Sequence, residues 1–276
     1  MAGCGWVHDE RPGDLVVRPE ELRVDLTGRV AVVTGAGSGL GRGAARALAA
    51  RGTRVFALDR DEDAAASTAA SLGAGAVSIG LDVAVEGDVA AAFDQIEKRV
   101  GRLHVCVNAA GIAPSRKILD RSGPVTLEHV RQVIDVNLMG TLDVARHSAE
   151  LMTRSDPQET GERGVIVNVS SGAATQGQRG QLAYAASKAA VIGAMLPMAR
   201  DLAPFGIRVV TVAPGLFETA MSGGFSEGLR ASLEEMVLFP KRMGMPEEFG
   251  RLVVDIAENP YLNATTISLD AGVRMV

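Results

Sequence analysis

Seven short, β-branched runs alternate with longer Ala/Leu-rich runs from Arg29 onward, and this alternation restricts the possible folds more than any other feature of the chain. RVAVVT, TRVFALD, AVSIGLD, LHVCVN, GVIVNVS, IRVVTVA and TTISLD read as strands. Each is too continuously apolar to turn one face to water. Between them, 40–51, 61–72, 86–100, 126–154, 182–202 and 246–258 have helical character. Repeated strand–helix–strand units build a parallel sheet with right-handed crossovers and helices on both faces. The expected fold class is therefore α/β, a single doubly wound domain around a seven-stranded parallel sheet. Pro197 falls inside the helical stretch AAVIGAMLPMARDLA. A lost backbone bond there costs roughly 3 kcal/mol, so a kink or a break is expected.

Residues 1–28 are polar, punctuated by Pro and Gly, and aperiodic, which reads as an N-terminal tail before a domain spanning 29–276. TRSDPQETGERG at 153–164 reads as a polar surface loop. The net charge of −5 offers no basic footprint for nucleic acid, and no Lys/Arg-rich amphipathic helix suggests a membrane surface. No uninterrupted run reaches the ~18 apolar residues of a membrane span. The first thirty residues lack an apolar signal core, and residues 1–28 carry six acids against three arginines, whereas transit peptides are poor in acids. A cytoplasmic location is expected. Cys4 and Cys106 match neither a disulfide framework nor a zinc spacing, the four histidines show no ligand spacing, and no metal is implied. Cys106, inside an apolar strand run, reads as packing.

The first strand runs into TGAGSGLGRG. Glycines let the backbone approach a pyrophosphate closely, and the helix that follows offers unpaired N–H groups and a partial positive charge. The frame taken here is Gly35-x-x-x-Gly39-x-Gly41, because Thr34-Gly35 stands where the turn must begin; Ser38 and Leu40 lie on the same loop. The alternative frame starts at Gly39 and ends on Ala44. The second strand ends in LDR, which puts Asp59 where an adenosine ribose would lie. A carboxylate there accepts from ribose hydroxyls and repels a 2′-phosphate, so NAD is expected in preference to NADP. Arg60 is the complicating cation. Asp82, at the end of the third strand, is a candidate for the adenine amino group or an ordinary turn residue.

One of two tyrosines and one of four lysines stand four apart as Tyr184 and Lys188 in QLAYAASKAA, on one face of a helix. Taken alone, such a pair is commonly an amphipathic surface contact. In company it reads otherwise. TGAGSGLG, LDV, VNAAG, DVNLMG, IVNVSS, YAASK and VAPG, in this order, resemble the short-chain dehydrogenase/reductase family across nearly everything after residue 28. VIDVNLMGT, LPMARDLAPFGIRV, VAPGLF, ENPYLN and LDAGVRM resemble its type II 3-hydroxyacyl-CoA dehydrogenase branch, also credited with hydroxysteroid oxidation.

The resemblance implies a Rossmann-like fold and a catalytic set of Ser171, Tyr184, Lys188 and Asn137. Tyr184 would exchange the substrate hydroxyl proton, with the Lys188 cation favouring its phenolate. Ser171, with Ser170 as its rival, would bind the substrate oxygen, and Asn137 would anchor a water that links Lys188 to solvent. By resemblance, Asn108 and Ala109 line the cofactor crevice and Val83 contacts adenine, while Pro214, Gly215, Phe217 and Thr219 hold the nicotinamide end; Phe217 could equally belong to the lid core. The glycine-broken apolar segment near 216–239 reads as a substrate lid or as an ordinary amphipathic helix. The expected reaction is NAD-dependent hydride transfer on a secondary alcohol, foremost a 3-hydroxyacyl-CoA of fatty acid metabolism, by a homotetramer. A 3-oxoacyl carrier-protein reductase, a hydroxysteroid dehydrogenase and a catalytically silent NAD-binding scaffold are the alternatives.

Overall fold

A computed structural model of the chain describes residues 23–73, 75–158, 160–219 and 226–274. The strands are β1 (Val30–Thr34), β2 (Arg54–Asp59), β3 (Val77–Gly80), β4 (Val105–Asn108), β5 (Gly164–Val169), β6 (Ile207–Pro214) and β7 (Thr265–Leu269). They form one seven-stranded sheet in the order β3-β2-β1-β4-β5-β6-β7, every pairing parallel. The order reverses between β1 and β4, where an open α/β sheet leaves a crevice at the carboxyl ends of its strands. A two-stranded hairpin, Leu119–Asp120 with Gly123–Pro124, stands apart from this sheet.

Strand side chains alternate between two cores, which is why the runs have no polar face. Ala31, Val33, Val55, Ala57, Val105, Val107, Val165 and Val167 enter one core with α1 (Gly39–Ala49), α2 (Glu62–Leu72) and α9 (Pro246–Glu258). Val30, Val32, Phe56, Leu58, Cys106 and Ile166 enter the other with α3 (Glu86–Val100), α5 (Gly140–Thr153) and α7 (Leu182–Leu202). Burial pushes the Cys106 thiol up to about 12, so this side chain serves packing and no nucleophilic chemistry.

Four features depart from the sequence reading. Val24 and Leu26 are buried in the first core, and Val24 N donates to Glu258 O at 2.8 Å, so the packed chain begins before Arg29. The helix expected over 126–154 divides into α4 (Leu127–Ile134), a π-helical turn (Asp135–Met139) and α5. After the single turn α6 (Ala173–Gln176), α7 continues unbroken through Pro197. Pro197 and Gly193, the residue whose carbonyl loses its donor, are both exposed, so water can serve that carbonyl. Residues 182–205 are also long and apolar enough, by length and composition, to cross a membrane. Their buried stripe of Ala183, Ser187, Lys188, Val191, Met195 and Ala199 faces the sheet and carries a lysine, as in a core helix.

Candidate active site

The end of β1 builds the first wall. Gly35 has φ +64°, and a Cβ there would stand 2.9 Å from the Ala109 backbone, so glycine lets the ends of β1 and β4 meet. Thr34, which the sequence reading passed over, fixes that junction: its Oγ1 accepts from the amides of Ala109 and Ala110, both at 3.1 Å. Gly37 N donates to Asp59 Oδ2 at 2.9 Å, and a Cβ on Gly37 would meet that oxygen at 2.8 Å. Asp59 Oδ1 accepts from Asp61 N at 3.0 Å. The glycine loop and the acid that closes β2 thus form one connected cradle. Ser38 is exposed at the N-cap of α1 and makes no side-chain capping bond, with Gly39 and Leu40 half-buried beside it. Gly41 has a different task, since a Cβ there would lie 2.2 Å from Gly35 O; it closes the turn onto the helix.

Val83 and Asn108 are turned inward, and Asp82 takes the turn role. Asp82 Oδ1 accepts from Ala84 N at 2.9 Å, a local turn bond, and Val83 is buried against Gly140. Asn108 is buried, and its Nδ2 donates to Asn168 Oδ1 at 2.9 Å and to Thr141 O at 3.4 Å. Its carboxamide therefore cross-links β4, β5 and α5 instead of lining the crevice, and only the neighbouring half-buried Ala109 remains at the strand end. A buried polar side chain must find partners, and here they are inside the fold.

The reactive candidates converge from three elements. Tyr184 and Lys188 share a face of α7, with Lys188 Nζ 5.9 Å from the centre of the Tyr184 ring. Lys188 is buried and donates to Val169 O at 2.8 Å; burial lowers its ammonium to about 8. Burial raises the Tyr184 phenol above its ordinary value, and a hydrogen bond with the Ser171 side chain works against that rise. The two serines separate cleanly. Ser170 is buried and donates to Lys188 O at 2.7 Å, whereas half-buried Ser171 reaches the phenol and accepts from Ala173 N at 3.1 Å. Ser171→Ala should cut turnover about a hundredfold or more without lowering Tm; Ser170→Ala should cost about 1–3 kcal/mol of stability. Paired kinetics and thermal melts distinguish these outcomes.

Asn137 sits in the π-helical turn, fully buried, but its carboxamide is engaged. Oδ1 accepts from Ile112 N at 2.8 Å, and Nδ2 donates to Ile112 O at 2.9 Å and to Ser187 Oγ at 3.0 Å. The side chain is thus a clamp between the β4 loop and α7. Gly111 passes close to both centres: a Cβ there would lie 3.2 Å from Asn137 Oδ1 and 3.4 Å from Lys188 Nζ.

Beyond β6, Pro214 O accepts from Gly172 N at 3.0 Å, and Gly215 N donates to Leu269 O at 3.0 Å. Phe217 bridges to Gly244, where a Cβ would lie 2.7 Å from its ring, and packs on the first core. It therefore serves as lid core. Thr219 closes over the glycine loop, 3.1 Å from a Cβ placed on Gly39. Of the proposed lid, 220–225, with Met221 and Phe225, lies outside the described residues. The rest contains α8 (Glu227–Glu235), which buries Leu233, leaves Leu229 exposed, and is tied through Arg230 Nη2 to Glu218 Oε2 at 2.8 Å.

This fold and this constellation define a class. Residues 29–230 match the family described as short chain dehydrogenase, and the chain belongs to that family; it is an oxidoreductase. Its relatives narrow the likeness. It is 46% identical over 202 residues to the 3-hydroxyacyl-CoA dehydrogenase type-2 of Drosophila melanogaster, covering 72% of this chain and 79% of that one. The Homo sapiens protein of the same name is 47% identical over 196 residues, covering 70% and 75%. A crystal structure of 3-hydroxyacyl-CoA dehydrogenase type-2 from Mycobacterium avium superposes with TM-score 0.86 at 36% identity, covering 90% of this chain and 97% of that one.

Proposed function

We propose that the protein oxidises 3-hydroxyacyl-CoA thioesters, reversibly, with NAD as the hydride acceptor. The observation that carries this reading is the convergence of Ser171, Tyr184 and Lys188 beside a glycine cradle tied to Asp59. The cradle fits a dinucleotide in its donor chemistry, because the glycine turn leads into the exposed N-cap of α1, which carries no side-chain capping bond, and Asp59 stands at the end of β2. Gly35, Ser38, Gly39 and Leu40 would hold the pyrophosphate, Asp59 the adenosine ribose, and Thr219 the nicotinamide end. When bound, NAD supplies the site that accepts hydride.

The chain's own groups handle the proton. Ser171 Oγ positions the substrate oxygen, Tyr184 Oη takes the alcohol proton, and the Lys188 ammonium, steered by Val169 O, supports the resulting charge balance. Substrate preference rests on the relatives at 46–47% identity, which are named 3-hydroxyacyl-CoA dehydrogenase type-2. The intact catalytic set disfavours a silent scaffold. We also propose a homotetramer: α7 leaves Leu182, Ala186, Ala189, Gly193 and Leu196 exposed, a small-residue apolar face suited to a second copy. A stable monomer in sedimentation would overturn that part.

A spectrophotometric screen of 3-hydroxyacyl-CoA, hydroxysteroid and small alcohol substrates should give its highest kcat/KM on an acyl-CoA with NAD. No NAD reduction by any acyl-CoA would sink the reading. Asp59→Ala should lower kcat/KM with NAD about tenfold or more and raise the relative use of NADP, since the repelling carboxylate and its ribose bonds go together. Unchanged cofactor preference would remove Asp59 from the ribose site.

A further inference from the structure

α7 opens as LAYAASKAA, in which Ser187 and Lys188 stand between two pairs of alanines. Serine is a poorer helix former than alanine by about 0.5 kcal/mol, and Ser187 is completely buried, so neither propensity nor hydration accounts for it. Its hydroxyl donates to Tyr184 O at 2.7 Å and accepts from Asn137 Nδ2 at 3.0 Å. The Asn137 end of that bond is fixed independently of α7. Reversing the carboxamide would set its oxygen against Ile112 O and its NH₂ against Ile112 N, so the two Ile112 bonds dictate which atom faces Ser187. Thr141 Oγ1 holds the Asn137 carbonyl at 2.9 Å, and Thr141 O is in turn held by Asn108. A continuous buried chain of hydrogen bonds thus runs from Asn168 through Asn108, Thr141 and Asn137 to Ser187.

We propose that Ser187 is a positioning residue for the catalytic pair: it suspends the first turn of α7 from Asn137 and thereby sets the Tyr184 phenol against Ser171. The inference rests on the reading of Tyr184 as the acid–base group. Lys188 is fixed separately, through Nζ to Val169 O and through its carbonyl to Ser170 Oγ. Tyr184 is linked to the Asn137 clamp through its carbonyl and the Ser187 hydroxyl. A hydroxyl bonded to the carbonyl three residues back also bends the helix locally, so its loss relaxes the turn that carries the phenol. Relaxation loosens the Ser171 contact that opposes the effect of burial on Tyr184, and the phenol becomes harder to ionise.

Wild type, Ser187→Ala, Ser187→Cys, Ser187→Thr and Tyr184→Phe are compared by NAD titration, thermal melting and the pH profile of alcohol oxidation. Ser187→Ala should bind NAD normally, lose about tenfold in kcat near neutral pH with little change in KM, and shift the profile upward by about one unit, the tenfold change in phenolate fraction. Ser187→Cys, nearly isosteric but a weak hydrogen-bonder, should shift it the same way. Ser187→Thr should return the profile toward wild type even if Tm falls. A purely structural serine would lower Tm and leave the profile in place, and that result in either the Ala or the Cys variant overturns the proposal. Turnover retained by Tyr184→Phe overturns the acid–base reading as well, whereas an inactive Tyr184→Phe beside an unmoved Ser187 profile overturns Ser187 alone.

Discussion

Tyr184→Phe should lower kcat for alcohol oxidation by about 10²–10⁴-fold, the range set by losing a positioned acid–base group, while NAD affinity and Tm stay near wild type. The ring is half-buried on α7 and the substitution removes only the hydroxyl that meets Ser171, so packing is kept. The pH behaviour carries a sign that can be checked in wild type. Burial holds the free protein's phenol protonated across neutrality, so Tyr184 stands ready to donate for ketone reduction, and alcohol oxidation must first ionise it. Oxidation should therefore accelerate as pH rises. Lys188, lowered to about 8, keeps its ammonium below that pH and loses it above, so ketone reduction should be full at neutrality and fall through the alkaline range, and the rise of oxidation should level off there as the phenolate loses its cation. Initial rates in both directions across pH test the pair of trends. An oxidation rate that falls with rising pH would contradict the assignment.

Gly43→Ala should destabilise the fold by about 2–3 kcal/mol, an overpacking cost, and lower Tm by roughly 5–10 °C for a domain of this size. α1 and α9 touch backbone to backbone at this point. A Cβ on Gly43 would stand 2.3 Å from Pro246 O, and one on Gly250 would stand 2.4 Å from Gly43 O. Backbone atoms cannot swing aside as a flexible side chain can, so α9 must move as a body. Its buried Phe249, Val253 and Ile256 would then leave the first core. Gly87 on α3 is the control: nothing lies within 4 Å of a Cβ there, so Gly87→Ala should be neutral or stabilise by up to about 1 kcal/mol. Calorimetric or optical melts of the two variants measure the contrast. Equal Tm values would show that the close approach of the helices is not what Gly43 maintains.

The glycine loop illustrates how sequence and structure divide the information. The sequence offers five alternating glycines as one phosphate motif, but the fold gives them separate work: Gly35 admits the β4 loop, Gly37 meets Asp59, Gly41 closes the turn and Gly43 admits α9. A glycine's purpose depends on which atom would collide with its missing Cβ, and that atom is usually distant in sequence. Thr34, Ser187 and Asn108 show the same limit, since a hydroxyl or carboxamide in an apolar run reveals its partner only after folding.

The alternation of apolar runs was enough to determine the parallel sheet and its two covered faces, because a strand with no polar face must be buried on both sides. The helical spacing of Tyr184 and Lys188 likewise puts them on one face. Tertiary structure alone decided that Ser171 rather than Ser170 meets the phenol, that Asn137 clamps two segments with its side chain, and that Val24 and Leu26 belong to the core. Periodicity depends on a residue's neighbours along one element, whereas a hydrogen bond or a buried contact depends on which other element the fold brings against it.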